Sequence, residues 1–180
     1  MRTFIAIDLN KECKAEIIKI QKTLSKKNLF NGKFTEDENL HLTLKFLGEI
    51  SEEQVIEVKK RLTEIKFKEF FAEISEIGVF NKDFNKIIWI KLNGKGIWDL
   101  QKQIDDKLKD FFPVESRFMS HITIARVKNV SNKSGFLEYL KSIKPQKIQF
   151  LVKEFSLKKS ELASVGPKYE DLEVYSSIKG

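Results

Sequence analysis

Cysteine occurs only once in the 180 residues, as Cys13, so neither an intrachain disulfide nor a cysteine-built metal site can form. That economy fits a reducing compartment, and the expected location is cytoplasmic. With three prolines and eight glycines, no stretch reads as a linker. No run approaches the ~18 apolar residues of a membrane span. The opening Met1-Arg2-Thr3-Phe4-Ile5-Ala6-Ile7-Asp8 meets an acid too early to read as a secretory signal. A Gly-x-Ser-x-Gly elbow, a Walker loop and a Gly-rich dinucleotide fingerprint are all missing, which argues against serine hydrolysis and against nucleoside triphosphate or NAD chemistry. What remains is a globular composition, 41% hydrophobic and 33% charged, long enough to build its own core.

Histidine is nearly as scarce, and its placement is the informative feature. Both copies sit in one repeated phrase, His41-Leu42-Thr43-Leu44 and His121-Ile122-Thr123-Ile124. The chain holds six threonines, so two histidines each followed by Thr at +2 would arise by chance in about one such sequence in a thousand. In a strand, residues two apart share a face. Each phrase therefore offers an imidazole and a hydroxyl on one face and aliphatic side chains on the other.

The surrounding pattern predicts an internal repeat. Residues 3–9 read as a strand, Asn10 caps a helix through Ile17, Ile18, Ile20 and Leu24, and Phe30 to Asn39 reads as a loop with a short edge strand. A strand from His41 to Leu47 follows, then a Ser51-x-x-Gln54 capping box and a strand from Phe70 to Phe80. The order recurs: a strand Lys86 to Leu92, a helix through Ile97, Leu100, Ile104 and Leu108, a loop Pro113 to Met119, a strand His121 to Val127 and a helix from Ser131. Strands Lys147 to Lys158 and Asp171 to Ile178 close the chain. An offset of 80 maps His41 to His121, Thr43 to Thr123, Ser51 to Ser131 and Phe70 to Phe150. The expected fold is α+β and bilobal over residues 1–180, with two pseudo-symmetric lobes, each a sheet with flanking helices, and a central cleft where the two motif faces meet.

Two imidazoles near neutrality can serve as acid and base, and two hydroxyls can donate to the non-bridging oxygens of a phosphate. That set suffices for phosphodiester cleavage. Two histidines without further ligands fall short of a metal site, so no metal and no cofactor are expected. A net charge of +7 is compatible with a polyanionic partner and equally with a solvated lysine-rich surface.

The two phrases resemble those of the 2H phosphoesterase superfamily. Within it, the opening segment, His41-Leu42-Thr43-Leu44-Lys45-Phe46-Leu47-Gly48, His121-Ile122-Thr123-Ile124-Ala125-Arg126, and Ser160-Glu161-Leu162 followed by Gly166-Pro167-Lys168-Tyr169 resemble the RNA 2',3'-cyclic phosphodiesterase family, also called 2'-5' RNA ligases. The resemblance implies hydrolysis of an RNA-terminal 2',3'-cyclic phosphate to a 2'-phosphomonoester, with 2'-5' ligation as the reverse. It implies His41 as proton donor, His121 as proton acceptor, and Thr43 and Thr123 as phosphate-binding residues. The expected partner is an RNA or oligonucleotide with a cyclic phosphate end, tRNA halves among the candidates, bound by a monomer with no membrane. A non-catalytic RNA-binding module and a phosphodiesterase for ADP-ribose 1'',2''-cyclic phosphate stay open as alternatives.

Three further residues are substrate-contact candidates. Arg126 breaks the apolar parity of Ile122 and Ile124, which places it either beyond the packed part of the strand or after a bulge, where it reaches phosphate or a surface acid. Lys45 shares the expected strand face of His41 and Thr43, though a solvated lysine has the same pattern. Phe4 has the parity to face the cleft and stack on a base, with core packing as the alternative. Phe46, Trp89 and Trp98 read as core or lobe interface.

Overall fold

A computed structural model describes residues 1–80, 87–163 and 166–178. Its elements, in chain order, are β1 (Arg2–Asp8), α1 (Lys11–Lys27), β2 (Phe30–Phe34), a 3-10 turn (Asp37–Asn39), β3 (His41–Glu49), α2 (Glu52–Leu62), β4 (Phe70–Phe80), β5 (Ile87–Asn93), α3 (Lys95–Leu108), β6 (His121–Val130), α4 (Lys133–Ser142), β7 (Gln149–Val152), β8 (Glu154–Ala163) and β9 (Gly166–Ser176).

Helix boundaries follow local chemistry. The Asn10 side chain accepts from the Cys13 N–H at 2.9 Å and starts α1. Both halves of the Ser51/Gln54 capping box form, at 3.2 and 3.0 Å. α4 is capped by Asn132, which accepts from the Gly135 N–H at 2.9 Å, one residue later than Ser131 predicts. Cys13, in the first turn of α1, is buried, and burial pushes its thiol up to about 11, away from the thiolate form that a nucleophile needs.

The strands run in the order β7-β4-β5-β6-β3-β1-β8-β9, every neighbour antiparallel, with β2 added alongside β6. One half is β3-β1-β8-β9 and the other β6-β5-β4-β7, so the two lobes share a continuous sheet that is joined between β3 and β6. The strand predicted from Lys147 to Lys158 is two strands at remote positions. β7 pairs with β4 and β8 with β1, because the chain changes halves at Lys153. β9 begins at Gly166, five residues before the predicted Asp171, and runs beside β8 along its length. β5 runs Ile87–Asn93; the predicted start at Lys86 lies outside the described residues.

Two bulges set which residues face the cleft. Against β1, Ile5 opposes Lys45 but Ala6 opposes Thr43, so Leu44 is an extra residue. Against β5, Ile88 opposes Ala125 and Trp89 opposes Thr123, so Ile124 is extra. An extra residue reverses the alternation beyond it. Leu44 and Lys45 are consequently both buried, as are Ile124 and Ala125, while Phe46 and Arg126 turn outward. The aliphatic face of the sheet packs under the helices, α1 against β6 and α3 against β3 and β4.

Candidate active site

The two motif strands meet through a register pair between Leu42 and Ile122, both fully buried. Stepping one residue either way along antiparallel strands sets His41 across from Thr123 and Thr43 across from His121. Same-face diagonal neighbours in such a pair lie roughly 7–8 Å apart. Both histidines and both threonines line one cleft of about 510 Å³, together with Phe46, Arg126 and Tyr169.

Each imidazole is held the same way. The His41 Nδ1–H donates to the Asn39 carbonyl at 2.7 Å, and the His121 Nδ1–H donates to the Met119 carbonyl at 2.7 Å. In both cases the anchor lies two residues upstream, and it fixes the Nδ1–H tautomer and leaves Nε2 as the chemically active nitrogen. His41 Nε2 accepts from the Thr43 hydroxyl at 3.0 Å. The Asn39 side chain donates to the Pro167 carbonyl at 2.9 Å, which ties the turn before His41 to β9.

Aromatic rings buttress the imidazoles. Phe4 stands 4.9 Å from His41 and Tyr169 meets the His41 ring edge-on at 5.3 Å, while Phe80 meets His121 edge-on at 4.7 Å. Burial pushes His41 down to about 4, against the opposing effects of the Asn39 hydrogen bond and the Asp8 charge. Burial also lowers His121, again partly offset by its backbone hydrogen bond. Both lowered rings therefore favour the neutral form at pH 7. Each can be recharged in the cleft by an anion, whose field favours the protonated form.

The structure sorts the remaining sequence candidates. Arg126 lies on the cleft, delivered there by the Ile124 bulge. Lys45 does not: the Leu44 bulge turns it inward, where it is 4% exposed and its Nζ lies 2.5 Å from Asp105 Oδ1. The expectation that it shares a face with His41 and Thr43 assumed unbroken alternation. Phe4 faces the cleft but is 3% exposed, its ring covered by His41 and by Tyr169 at 4.9 Å, which fits packing better than base stacking. Phe46, expected in the core or lobe interface, is 71% exposed on the cleft for the same reason that Lys45 is buried. Trp98 is also largely exposed, edge-on to Phe118 at 4.9 Å, whereas Trp89 packs beside Phe80 at 5.5 Å.

Tyr169 was visible in sequence only as part of a closing segment, and nothing in its spacing pointed to the cleft. Burial raises its phenol, which therefore stays a neutral donor beside Arg126 and Arg2. Among the described residues no group of three or more His, Cys, Asp or Glu side chains is placed to hold a metal ion, and no helix is long and apolar enough to cross a membrane.

Comparison with known proteins agrees with this geometry. The "RNA 2',3'-cyclic phosphodiesterase" of Methanocaldococcus jannaschii is 35% identical over 173 residues, covering 94% of this chain and 97% of that protein. The protein of the same description from Methanothermobacter thermautotrophicus is 34% identical, covering 97% and 98%. The crystal structure of E. coli LigT in apo form shares the fold, with a TM-score of 0.81 at 23% identity, covering 99% of this chain and 98% of that one. The model of the family described as LigT like Phosphoesterase matches residues 7–89 and 93–169, which include both motifs and end on Tyr169. The chain belongs to the LigT-like phosphoesterase family.

Proposed function

We propose that the protein hydrolyses the terminal 2',3'-cyclic phosphate of RNA to a 2'-phosphomonoester; its relatives are described as RNA 2',3'-cyclic phosphodiesterases, and the 2'-phosphate product follows the family resemblance. The observation that carries the reading is the pair of identical Nδ1–carbonyl anchors. They leave two Nε2 atoms and two threonine hydroxyls on one face around the Leu42/Ile122 pair.

In the reaction, His121 Nε2 takes a proton from water as its oxygen bonds to phosphorus. The P–O3' bond breaks, and the proton on His41 Nε2 passes to the departing 3' oxygen. The roles of donor and acceptor follow the family resemblance, since the two anchors alone are equivalent. Thr43 and Thr123 donate to the non-bridging oxygens as charge shifts onto them. The hydroxyl of Thr43 turns from His41 Nε2 to the phosphate when His41 is protonated, because a protonated ring no longer accepts. Proton transfer in and out is done by side chains, so the reaction runs without a metal. With the 5'-hydroxyl of a second RNA in place of water, the same groups give 2'-5' ligation: the 5' oxygen bonds to phosphorus as its proton passes to His121 Nε2, the P–O3' bond breaks, and the 3' oxygen takes the proton from His41 Nε2.

The substrate is an RNA end, tRNA halves included, taken up by a monomeric, cytoplasmic enzyme. Incubation of a short RNA ending in a 2',3'-cyclic phosphate with the protein in EDTA tests this directly. A 2'-monophosphate product is expected. A 3'-monophosphate would overturn the direction of cleavage, and no turnover would leave a binding module.

A further inference from the structure

Lys45, removed from the cleft by its bulge, ends in a buried polar cluster that the proposed chemistry does not use. Its Nζ donates to Asp105 Oδ1 at 2.5 Å and to the Pro113 carbonyl at 2.6 Å. Asp105 Oδ2 accepts from Gln101 Nε2 at 2.7 Å and from the Glu115 N–H at 3.0 Å. Both charged side chains are 4–5% exposed. The cluster thus fastens the bulge of β3 to the segment that begins at Pro113 and ends at Met119, whose carbonyl holds His121.

The other half contains a counterpart. Gln21 of α1 is buried, and its Nε2 donates to the carbonyl of Ile124, the bulge residue of β6, at 2.9 Å and to the Thr35 carbonyl at 2.8 Å. Thr35 Oγ1 also donates to the Thr123 carbonyl at 2.9 Å. Thr35 opens the segment that ends at Asn39, whose carbonyl holds His41. The helices α1 and α3 correspond at an offset of 84, from their caps Asn10 and Gly94 through every buried position, so Gln21 matches Asp105 and matching positions on the two helices serve the two ties. The position matching Lys45 is Ala125, which leaves one tie charged and the other neutral.

We infer that these are reciprocal cross-ties: the bulge of each motif strand positions the histidine of the other, Lys45 with Asp105 acting on His121 and Gln21 acting on His41. Lys45, Asp105 and Gln21 are positioning residues that touch no reacting atom. Their effect on rate rests on the proposed phosphodiesterase reading; their effect on ring placement does not. A buried charged pair is a costly way to gain stability, since well-packed apolar residues often do as well or better. It is an effective way to hold a backbone segment in register. A misplacement of about 1 Å from groups remote from the chemistry can cost about a hundredfold in rate.

Two double variants separate positioning from stability. Lys45→Met with Asp105→Leu keeps the site filled and apolar but unties the loop. Lys45→Gln with Asp105→Asn keeps neutral hydrogen bonds to it. Thermal melting, kcat and KM on adenosine 2',3'-cyclic phosphate, and NMR titration of the two histidine Cε1–H resonances are measured for each. The apolar pair is expected to fold, to lose about tenfold or more in kcat with KM within about threefold, and to shift the resonance and titration of His121 while leaving His41 in place. The amide pair should fall between it and the unmodified protein, and Gln21→Leu should move His41 instead. Unchanged kcat, or an unchanged His121 resonance, in a folded double variant overturns the inference. If the unmodified protein does not turn over the cyclic nucleotide, the functional reading fails and the resonances still decide the ties. If the apolar pair does not fold, the amide pair and Gln21→Leu decide it by the same resonances.

Discussion

Leu42 and Ile122 are backbone partners at the centre of the sheet, 80 residues apart in sequence, and each lies between a histidine and a threonine. Their side chains point into the core while their neighbours point into the cleft. The same pair therefore joins the two halves of the fold and brings the four polar groups together.

Truncating that pair tests the structural role. Both side chains are fully buried. Leu42→Ala or Ile122→Ala should cost about 2–5 kcal/mol of stability, the range for large-to-small changes in a packed interior. Urea unfolding gives the value. A cost well under 1 kcal/mol would mean that the two halves do not depend on this contact.

His41→Ala and His121→Ala should each lower turnover at least about a hundredfold, the contribution expected of a general acid or base. Circular dichroism should remain that of the unmodified protein, because both rings lie on the cleft surface. Thr43→Ala and Thr123→Ala remove one neutral donor each and should cost less, with the loss falling mainly in kcat. Activity near that of the unmodified protein in either histidine variant would remove the mechanism.

Much of this site was legible in the sequence because it depends on short-range periodicity. His and Thr two apart define a face whatever the rest of the chain does, and the offset of 80 pairs the faces. What periodicity could not supply was the pair of bulges. One extra residue at Leu44 exchanges the expected places of Lys45 and Phe46, and the signal for it lies in the pairing with β1, not in β3 itself. The split of the predicted Lys147 to Lys158 strand has a similar cause. Its two parts pair with β4 and β1, at remote places in the sheet, and only the tertiary arrangement separates them. Tyr169 reaches His41 through the β8/β9 pairing, a long-range contact with no local pattern.

Arg126 offers a prediction that depends on the second bulge. It is exposed on the cleft and can pair with a phosphate there. Arg126→Ala should raise KM for an RNA end by several-fold or more and make binding less sensitive to salt, since one phosphate contact is removed. Lys45→Ala should show no such salt effect, because Lys45 is buried against Asp105. Identical salt dependence in the Arg126 variant and the unmodified protein would place Arg126 outside the substrate path.

The lowered histidines make stability depend on pH in a defined direction. His41 titrates at about 4 in the folded protein, against about 6.5 when unfolded. Between those values the unfolded chain binds a proton that the folded chain does not, so stability falls as pH drops from about 6.5, and the loss is complete below about 4. By pH 4 this one group accounts for about 3 kcal/mol. His121, lowered by burial as well, acts in the same direction. Urea unfolding of His41→Gln and of the unmodified protein between pH 7 and 4 isolates the effect, because the carboxylates titrate in both. The variant should lose less stability over that range; parallel curves would show that His41 is not depressed.

The same shifts bear on the rate. The reactive form needs one imidazole protonated and the other neutral, so kcat/KM should follow a bell whose two apparent values belong to the free enzyme's pair of rings and not to either ring alone. Burial lowers both rings, which places the top of that bell on the acid side of 6.5. Bound substrate changes the balance, because the phosphodiester's negative charge beside both Nε2 atoms favours their protonated forms. The bell for kcat should therefore lie at higher pH than the bell for kcat/KM, and inorganic phosphate should raise both Cε1–H titrations in NMR. Coincident bells, or titrations indifferent to phosphate, would mean that the cleft does not bring an anion against the two rings.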